Sequence, residues 1–168
     1  MKYSCPILSP RAVFCGGITG SFCFLSRTLF GSPLDIIHIT ERINFLPSVW
    51  LFNLLSVAAC FFMGISFGWI VDGIVSGHNS GQKSVSAYRG ALFLSISFFL
   101  FIIWFPVLFF AKRLFLSFLI SVLELFCALT CAIEWSKLIP RRSSLLIYAD
   151  TVWFFYIMFV SLSVWWGS

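Results

Sequence analysis

Charged residues are scarce in this 168-residue chain: Asp, Glu, Lys and Arg make up 10% of it, whereas apolar residues make up 60%. After Arg113 the sequence has only three more basic residues, Lys137, Arg141 and Arg142. Its mean hydropathy is +1.01. A chain with so little charge would expose large apolar patches in water, so this composition excludes a soluble globular domain. Lipid is therefore the solvent in which its segments have to be stable.

Alternation of polar and apolar residues, the pattern of a membrane β-barrel, is also missing. The apolar residues instead form continuous runs, each close to the roughly 20 residues that a spanning helix needs. Because backbone polar groups have to be satisfied within lipid, these runs predict helices. We expect an all-α membrane protein with five transmembrane helices in a single bundle. Residues 1–168 would form one domain, with spans at about 12–31, 49–71, 91–111, 114–133 and 144–166.

The first run is the weakest of the five, because Arg27 and several Gly and Ser residues interrupt it. Lys2 and Arg11 precede it, which is also the layout of a secretory signal peptide. No clear small-residue cleavage site follows the run. We expect a first span and keep a signal peptide as the alternative.

Basic residues are unequally divided between the two sides that five spans would define. Seven fall on the side of the N-terminus: Lys2, Arg11, Lys83, Arg89, Lys137, Arg141 and Arg142. Four fall on the other side: Arg27, Arg42, Lys112 and Arg113. The positive-inside rule therefore predicts a cytoplasmic N-terminus, and we expect a multi-pass protein of the cell inner membrane.

Residue types that carry out catalysis or hold metals are few. The chain has two His, and none of its six Cys forms a C-x-x-C pair. Cys127 and Cys131 share a helix face but supply too few ligands for a metal site, and they read more simply as core residues. Paired carboxylates and a Ser/His/Asp set are absent, so we predict no catalytic residues, no metal site and no enzyme activity. No basic patch interleaved with aromatics indicates a nucleic-acid partner.

Aromatic and proline residues recur in three segments. From Arg42 to Phe52 the chain reads R-I-N-F-L-P-S-V-W-L-F, and a second segment, F-M-G-I-S, begins ten residues later at Phe62. Residues 97–110 read S-F-F-L-F-I-I-W-F-P-V-L-F-F, and Trp153 and Trp165 lie twelve apart in the last run. These segments resemble the TspO/MBR family of tryptophan-rich sensory and translocator proteins. That family has K-P-x-W-x-P-P-x-x-x-F before its second span and Q-L-x-L-N-x-x-W-S-P-L-F-F in its third. The resemblance covers about residues 40–168.

The resemblance implies five helices around a pocket that binds porphyrin, haem or another hydrophobic molecule beneath the first loop. It implies no obligatory cofactor, since porphyrin or haem would be a ligand. A bound haem would need an axial ligand, and His38 in the first loop is the candidate. The simpler interpretation is that His38 is a solvated loop residue. Several polar positions of the family pattern are exchanged. Ser56 replaces a Trp, Ser97 a Gln, Phe101 an Asn, Ala149–Asp150 a Pro–Tyr pair, and Ser161 an Asn.

Two stripes of residues at helical spacing could line such a pocket. One runs along the third span and the other along the fifth: Ser97, Phe101, Trp104 and Leu108, and Trp153, Ile157 and Ser161. Facing inward, they would form aromatic walls suited to a flat apolar ligand. The alternative is that they pack together or face lipid. The candidate ligand-binding residues are Phe45, Pro47, Trp50, Ser97, Phe101, Trp104, Asp150, Trp153 and Ser161.

Two acids lie within apolar runs. A charged Glu124 in the middle of the fourth run would cost about 2.5–3.5 kcal/mol, so it should face the protein interior. For Glu124 we favour a hydrogen-bonded packing role over a proton relay. For Asp150 we favour helix capping or pairing with Arg141 or Arg142 over ligand contact. Pro106 should interrupt the backbone hydrogen bonds of the third span.

Glycines at four-residue spacing, Gly16 with Gly20 and Gly64 with Gly68, allow helices to approach closely. They fit a homodimer and packing within one chain equally well. We predict a protein that binds, and transports or senses, a hydrophobic small molecule, with the lipid bilayer and a second copy as further partners. The alternative is a structural or assembly subunit of a membrane complex. Light-dependent porphyrin breakdown, which is described for the family, would need only bound pigment and nearby Trp, so it stays open.

Overall fold

Five long helices account for nearly all of the described chain. The computed structural model describes residues 9–30, 48–75, 82–136, 138 and 144–166. The helices are α1 (Pro10–Phe30), α2 (Val49–Val75), α3 (Gln82–Phe105), α4 (Leu114–Ser136) and α5 (Ser144–Trp166), and these ranges contain no strand. The predicted all-α class is confirmed.

Four of the helices are long and apolar enough to cross a membrane, over residues 50–72, 85–110, 114–136 and 145–166. The five expected spans therefore exceed this number by one, because the polar and small residues of α1 dilute its hydropathy. The helix α3 begins at Gln82 rather than near residue 91. Hydropathy identifies the part of a helix that lies in lipid. The backbone hydrogen bonds of α3 also include polar residues outside that part, such as Arg89, so the helix begins before its apolar run.

The helices form a closed ring in the order α1, α2, α5, α4 and α3, and α3 returns to α1. Glycines bring α1 and α2 together, since a Cβ atom on Gly64 would lie 2.5 Å from the carbonyl oxygen of Cys15. A Cβ atom on Gly16 would lie 2.9 Å from a backbone oxygen of α2. Thr19 Oγ1 donates to the carbonyl oxygen of Cys60 across this interface at 2.7 Å. These glycines therefore pack helices within one chain.

Polar groups fix the start of α1 to the end of the apolar part of α2. Ser9 precedes Pro10, and its Oγ accepts a hydrogen bond from the backbone N–H of Ala12 at 3.1 Å, which is an N-cap. The same hydroxyl donates to Asp72. Arg11 forms an ion pair with Asp72, with Nη1 3.2 Å from Oδ1.

Pro106, which was expected to interrupt the backbone hydrogen bonds of the third span, lies where the helix changes type at the end of α3. Residues Pro106–Phe110 form a π-helical turn, in which the N–H of Ala111 donates to the carbonyl oxygen of Pro106 at 2.9 Å. The chain then reverses at Lys112, whose φ of 50° lies in the left-handed region, and α4 begins two residues later. The short third loop thus makes α3 and α4 neighbours.

Large apolar side chains cover the outside of the bundle. Phe110 is 81% exposed and Trp166 is 83% exposed, and many Leu, Ile and Phe side chains are also exposed along all five helices. A protein in water could not carry a surface of this kind without associating. The surface is suited to lipid contact.

Candidate functional site

Aromatic side chains fill the bundle between α3 and α5. Phe101 stacks on Trp104, with ring centroids 6.4 Å apart and planes 7° apart, and meets Phe154 edge-on at 5.7 Å. Trp104 Nε1 donates to Ser161 Oγ at 3.0 Å, and Ser161 donates to the carbonyl oxygen of Ile157 at 2.9 Å. Both stripes therefore face inward. They contact each other directly and form part of a packed core.

A cavity of about 530 Å³ lies between α2 and α5. Pockets of this size hold drug-sized ligands. Two alanines of α2 create the space by their small side chains, and an aromatic face of α5 forms the opposite wall. The lining residues are Leu55, Ala58, Ala59 and Phe62 of α2, and Ala149, Asp150, Val152, Trp153 and Tyr156 of α5.

The cavity opens sideways, towards the lipid. Val152 at its rim is 68% exposed, and Leu55 and Phe62 also reach the outer surface. Ala59 and Asp150 are buried at its back. The lining residues of both helices fall within the segments long and apolar enough to span a membrane. A molecule dissolved in the bilayer therefore meets this opening without crossing the polar loops.

Three polar side chains of the cavity wall have buried atoms without a hydrogen-bond partner among the described residues. These atoms are Oδ1 of Asp150, Nε1 of Trp153 and the hydroxyl of Tyr156. The rings of Trp153 and Tyr156 lie 5.4 Å apart, and Trp153 also packs against Phe52 at 5.6 Å. Buried polar atoms usually find partners, so three such atoms on one wall leave hydrogen-bonding capacity that the described residues do not use.

The sequence-predicted site residues are thus divided between two places. Asp150 and Trp153 line the cavity, whereas Phe101, Trp104 and Ser161 belong to the aromatic core. Ser97 is fully buried on α3, and its hydroxyl also has no partner within the described ranges. Trp50 is 71% exposed near the start of α2. Phe45, Pro47 and His38 lie outside the described residues.

Sequence reasoning missed the α2 wall of the cavity and Tyr156. Leu55, Ala58, Ala59 and Phe62 follow the spacing of one helix face, but only the position of α5 shows that the two alanines leave a space. Asp150 was expected to cap or pair near the interface with Arg141 or Arg142, which lie outside the described residues. It is 4% exposed and lies within electrostatic range of Cys60, near the middle of α2.

Glu124 is fully buried on α4, as its position in the sequence predicted. Neither of its carboxylate oxygens has a hydrogen-bond partner within the described part of the chain, so the hydrogen-bonded packing role favoured from the sequence is not observed. The thiols of Cys23 and Cys127 lie within electrostatic range of this carboxylate. Among the described residues no group of three or more His, Cys, Asp or Glu side chains is arranged to hold a metal ion.

A ring of long apolar helices with a cavity that opens to lipid defines an integral, multi-pass α-helical membrane protein with a candidate small-molecule site. The family model of the TspO/MBR family matches residues 15–166, nearly the whole chain, and the protein belongs to this family. The family is generally one of binding and sensing proteins rather than enzymes. No curated protein and no solved structure matches the chain significantly.

Proposed function

We propose that this protein binds a flat, hydrophobic small molecule in the cavity between α2 and α5, and that transport or sensing of this molecule begins with that binding step. The observation that carries the proposal is the cavity itself, about 530 Å³ in volume and lined by apolar side chains with Trp153 in its wall. Stacking of a ring system on Trp153 and Tyr156 would add to the burial of apolar surface.

Porphyrin or haem, the ligands implied by the family resemblance, fit this cavity only in part. The apolar walls and the indole of Trp153 suit a macrocycle. Among the described lining residues, which include no His, Cys or Met, Tyr156 is the only one of a type that ligates haem iron. The Asp150 carboxylate would face any carboxylate substituent of the ring. An uncharged porphyrin is therefore the better match, bound through its ring faces without coordination of a metal.

We propose that α1 is a fifth membrane span rather than a cleaved signal peptide. Its 21 residues correspond to a length of about 31 Å, close to the hydrocarbon thickness of a bilayer. It packs antiparallel along α2, from the hydrogen bond between Ser9 and Asp72 to the contact of Cys23 Sγ with the carbonyl oxygen of Ser56 at 3.7 Å. A helix that follows a spanning helix over this distance lies at membrane depth.

Five spans place the two termini on opposite sides, and the charge distribution favours a cytoplasmic N-terminus in the cell inner membrane. An assembly role through the paired glycines is the weaker hypothesis, because Gly16 and Gly64 are used for contacts between α1 and α2 of the same chain. A homodimer formed through other surfaces is compatible with the binding function.

Titration of the purified protein in nanodiscs with an uncharged alkyl porphyrin tests the proposal, with quenching of Trp fluorescence as the signal. We expect saturable quenching. Ala58→Leu fills the cavity and should weaken binding at least about tenfold, which is about 1.4 kcal/mol. Ala111→Leu, the same change at an exposed position after α3, should leave binding unchanged. Absence of saturable quenching, or equal affinity of the Ala58→Leu variant and the wild type, would refute this site.

A further inference from the structure

We propose that the cavity between α2 and α5 selects hydrophobic molecules that carry an amine, bound as an ammonium ion against the carboxylate of Asp150. This inference rests on the proposed binding function and adds the chemical class of the ligand. It follows from the surroundings of one buried acid and from the polar atoms that continue along the same helix.

Asp150 is a buried acid for which the described residues supply no cationic partner. Its side chain lines the cavity and is 4% exposed, and Oδ1 has no hydrogen-bond partner among the described residues. Its neighbours from other helices include the thiols of Cys60 and Cys131, which lie within electrostatic range and carry no positive charge. The ion pair found within the described residues, Arg11 with Asp72, joins α1 to α2.

A cationic ligand supplies the partner that Asp150 lacks, whereas an anionic ligand cannot pair with it. Burial favours the neutral form of an acid that has no cationic partner, so an amine that takes up the proton of Asp150 forms an ion pair in which both charges are compensated. Charge-assisted hydrogen bonds between an ammonium group and a carboxylate are about twice as strong as neutral ones. Because the surroundings are apolar, both this attraction and the repulsion of a second carboxylate act with little screening.

The remaining polar atoms extend the site along α5. Trp153 and Tyr156 follow Asp150 on the next turns, displaced along the helix axis by about 4.5 and 9 Å. Their rings present π faces, which attract a cation held nearby, and their Nε1 and hydroxyl groups can donate to an acceptor on the ligand body. The wall therefore fits an amine at one end, a flat apolar body, and a hydrogen-bond acceptor at the other end.

The charge of this site belongs to this chain and not to the general family pattern. Asp150 stands at the Tyr of the P-Y-x-x-W pattern that precedes Trp153 in the resemblance described above. A phenol at that position would be neutral. The exchange of a phenol for a carboxylate changes the preferred substituent of the ligand without changing the apolar body that the cavity holds.

Three probes with the same ring and different substituents test this selection: butylpyrene, pyrenebutylammonium and pyrenebutyrate. Each is titrated into the protein in nanodiscs of zwitterionic lipid, with energy transfer from Trp to pyrene as the signal. Protein-free discs give the background from partition into lipid, and the Ala58→Leu variant, with its weakened binding, shows which part of the signal arises in the cavity. For the wild type we expect the ammonium probe to bind about tenfold more tightly than butylpyrene, and the butyrate probe more weakly than butylpyrene.

The Asp150→Asn variant should bind the ammonium and neutral probes with affinities within about twofold of each other. This variant keeps the side-chain shape and removes a buried charge, so its folding should not be impaired; helical circular dichroism verifies this. Glu124→Gln is the matched control, because it neutralises the other buried acid, which does not line the cavity, and it should preserve the wild-type order of the probes.

Saturable binding of butylpyrene without a preference for the ammonium probe would overturn the inference and leave the proposed function intact. A preference that persists in Asp150→Asn would also overturn it, since the selectivity would then arise elsewhere. Failure of all three probes to bind above the background would refute the proposed function itself.

Discussion

Replacement of Gly64 by Ala tests how α1 and α2 are held together. A Cβ atom at this position would lie 2.5 Å from the carbonyl oxygen of Cys15 and would also overlap Thr19 Oγ1. Ordinary contacts of carbon with a carbonyl oxygen are about 3.3–3.6 Å, so α1 would have to move by about 1 Å. The hydrogen bond from Thr19 to the carbonyl oxygen of Cys60 would then lengthen from 2.7 Å.

The expected cost combines three contributions. Overpacking of a close interface costs about 1–3 kcal/mol, and loss of an interhelical hydrogen bond in lipid costs about 0.6 kcal/mol. The better helix propensity of Ala offsets this by up to about 1 kcal/mol. We therefore expect Gly64→Ala to lower the free energy of unfolding by about 1–3 kcal/mol, measured by reversible SDS-induced unfolding in mixed micelles.

Gly17→Ala is the matched control, since a Cβ atom at Gly17 would meet nothing within 4 Å. It should leave stability unchanged or raise it by up to about 1 kcal/mol. Gel filtration should give the same oligomeric state for both variants, because Gly64 packs within the chain. Equal stability of Gly64→Ala and the wild type, or loss of an oligomer rather than of stability, would refute this reasoning.

Three further substitutions test the core and the start of α1 by the same unfolding measurement. Glu124→Met removes a buried acid that has no hydrogen-bond partner among the described residues and should stabilise the protein by about 1–3 kcal/mol; a loss of stability would reveal a partner of Glu124. Leu123→Met, on the exposed face of α4, is the control and should have little effect. Ser161→Ala leaves Trp104 Nε1 buried without its acceptor and should cost about 1–3 kcal/mol, and an unchanged stability would show that this bond is not needed. Ser9→Ala removes the N-cap of α1 and should cost about 1 kcal/mol, whereas Ser9→Asn should retain most of the stability.

Aromatic stripes illustrate where prediction from the sequence ends. The spacing of Phe101 and Trp104 indicated that they share one helix face, because helical periodicity fixes which side chains lie together. The spacing did not indicate whether side chains of α5 would contact these two residues. That depends on the separation of α3 and α5, and these helices lie close enough for Trp104 to donate to Ser161.

The surroundings of the acidic residue Asp150 also could not be predicted from the sequence. Its position near the start of the last run suggested an interfacial residue, since distance along the sequence was the only measure of depth. In the bundle α5 packs so that this carboxylate lies near Cys60 in the middle of α2. The neighbours of a side chain from other helices are set by helix packing, which hydropathy does not report.

By itself the sequence determined the solvent, the helical class and the family of this protein. The solvent and the helical class follow from length and composition, because lipid admits few ways of satisfying a backbone and an apolar run of about 20 residues already meets them. The family follows from the spacing of aromatic and proline residues in three segments. Only the tertiary structure decided which aromatic residues form a solid core and which line a cavity. The reason is physical: a cavity is a property of the distance between two helices, here α2 and α5 at the alanines Ala58 and Ala59, and no single helix contains that distance.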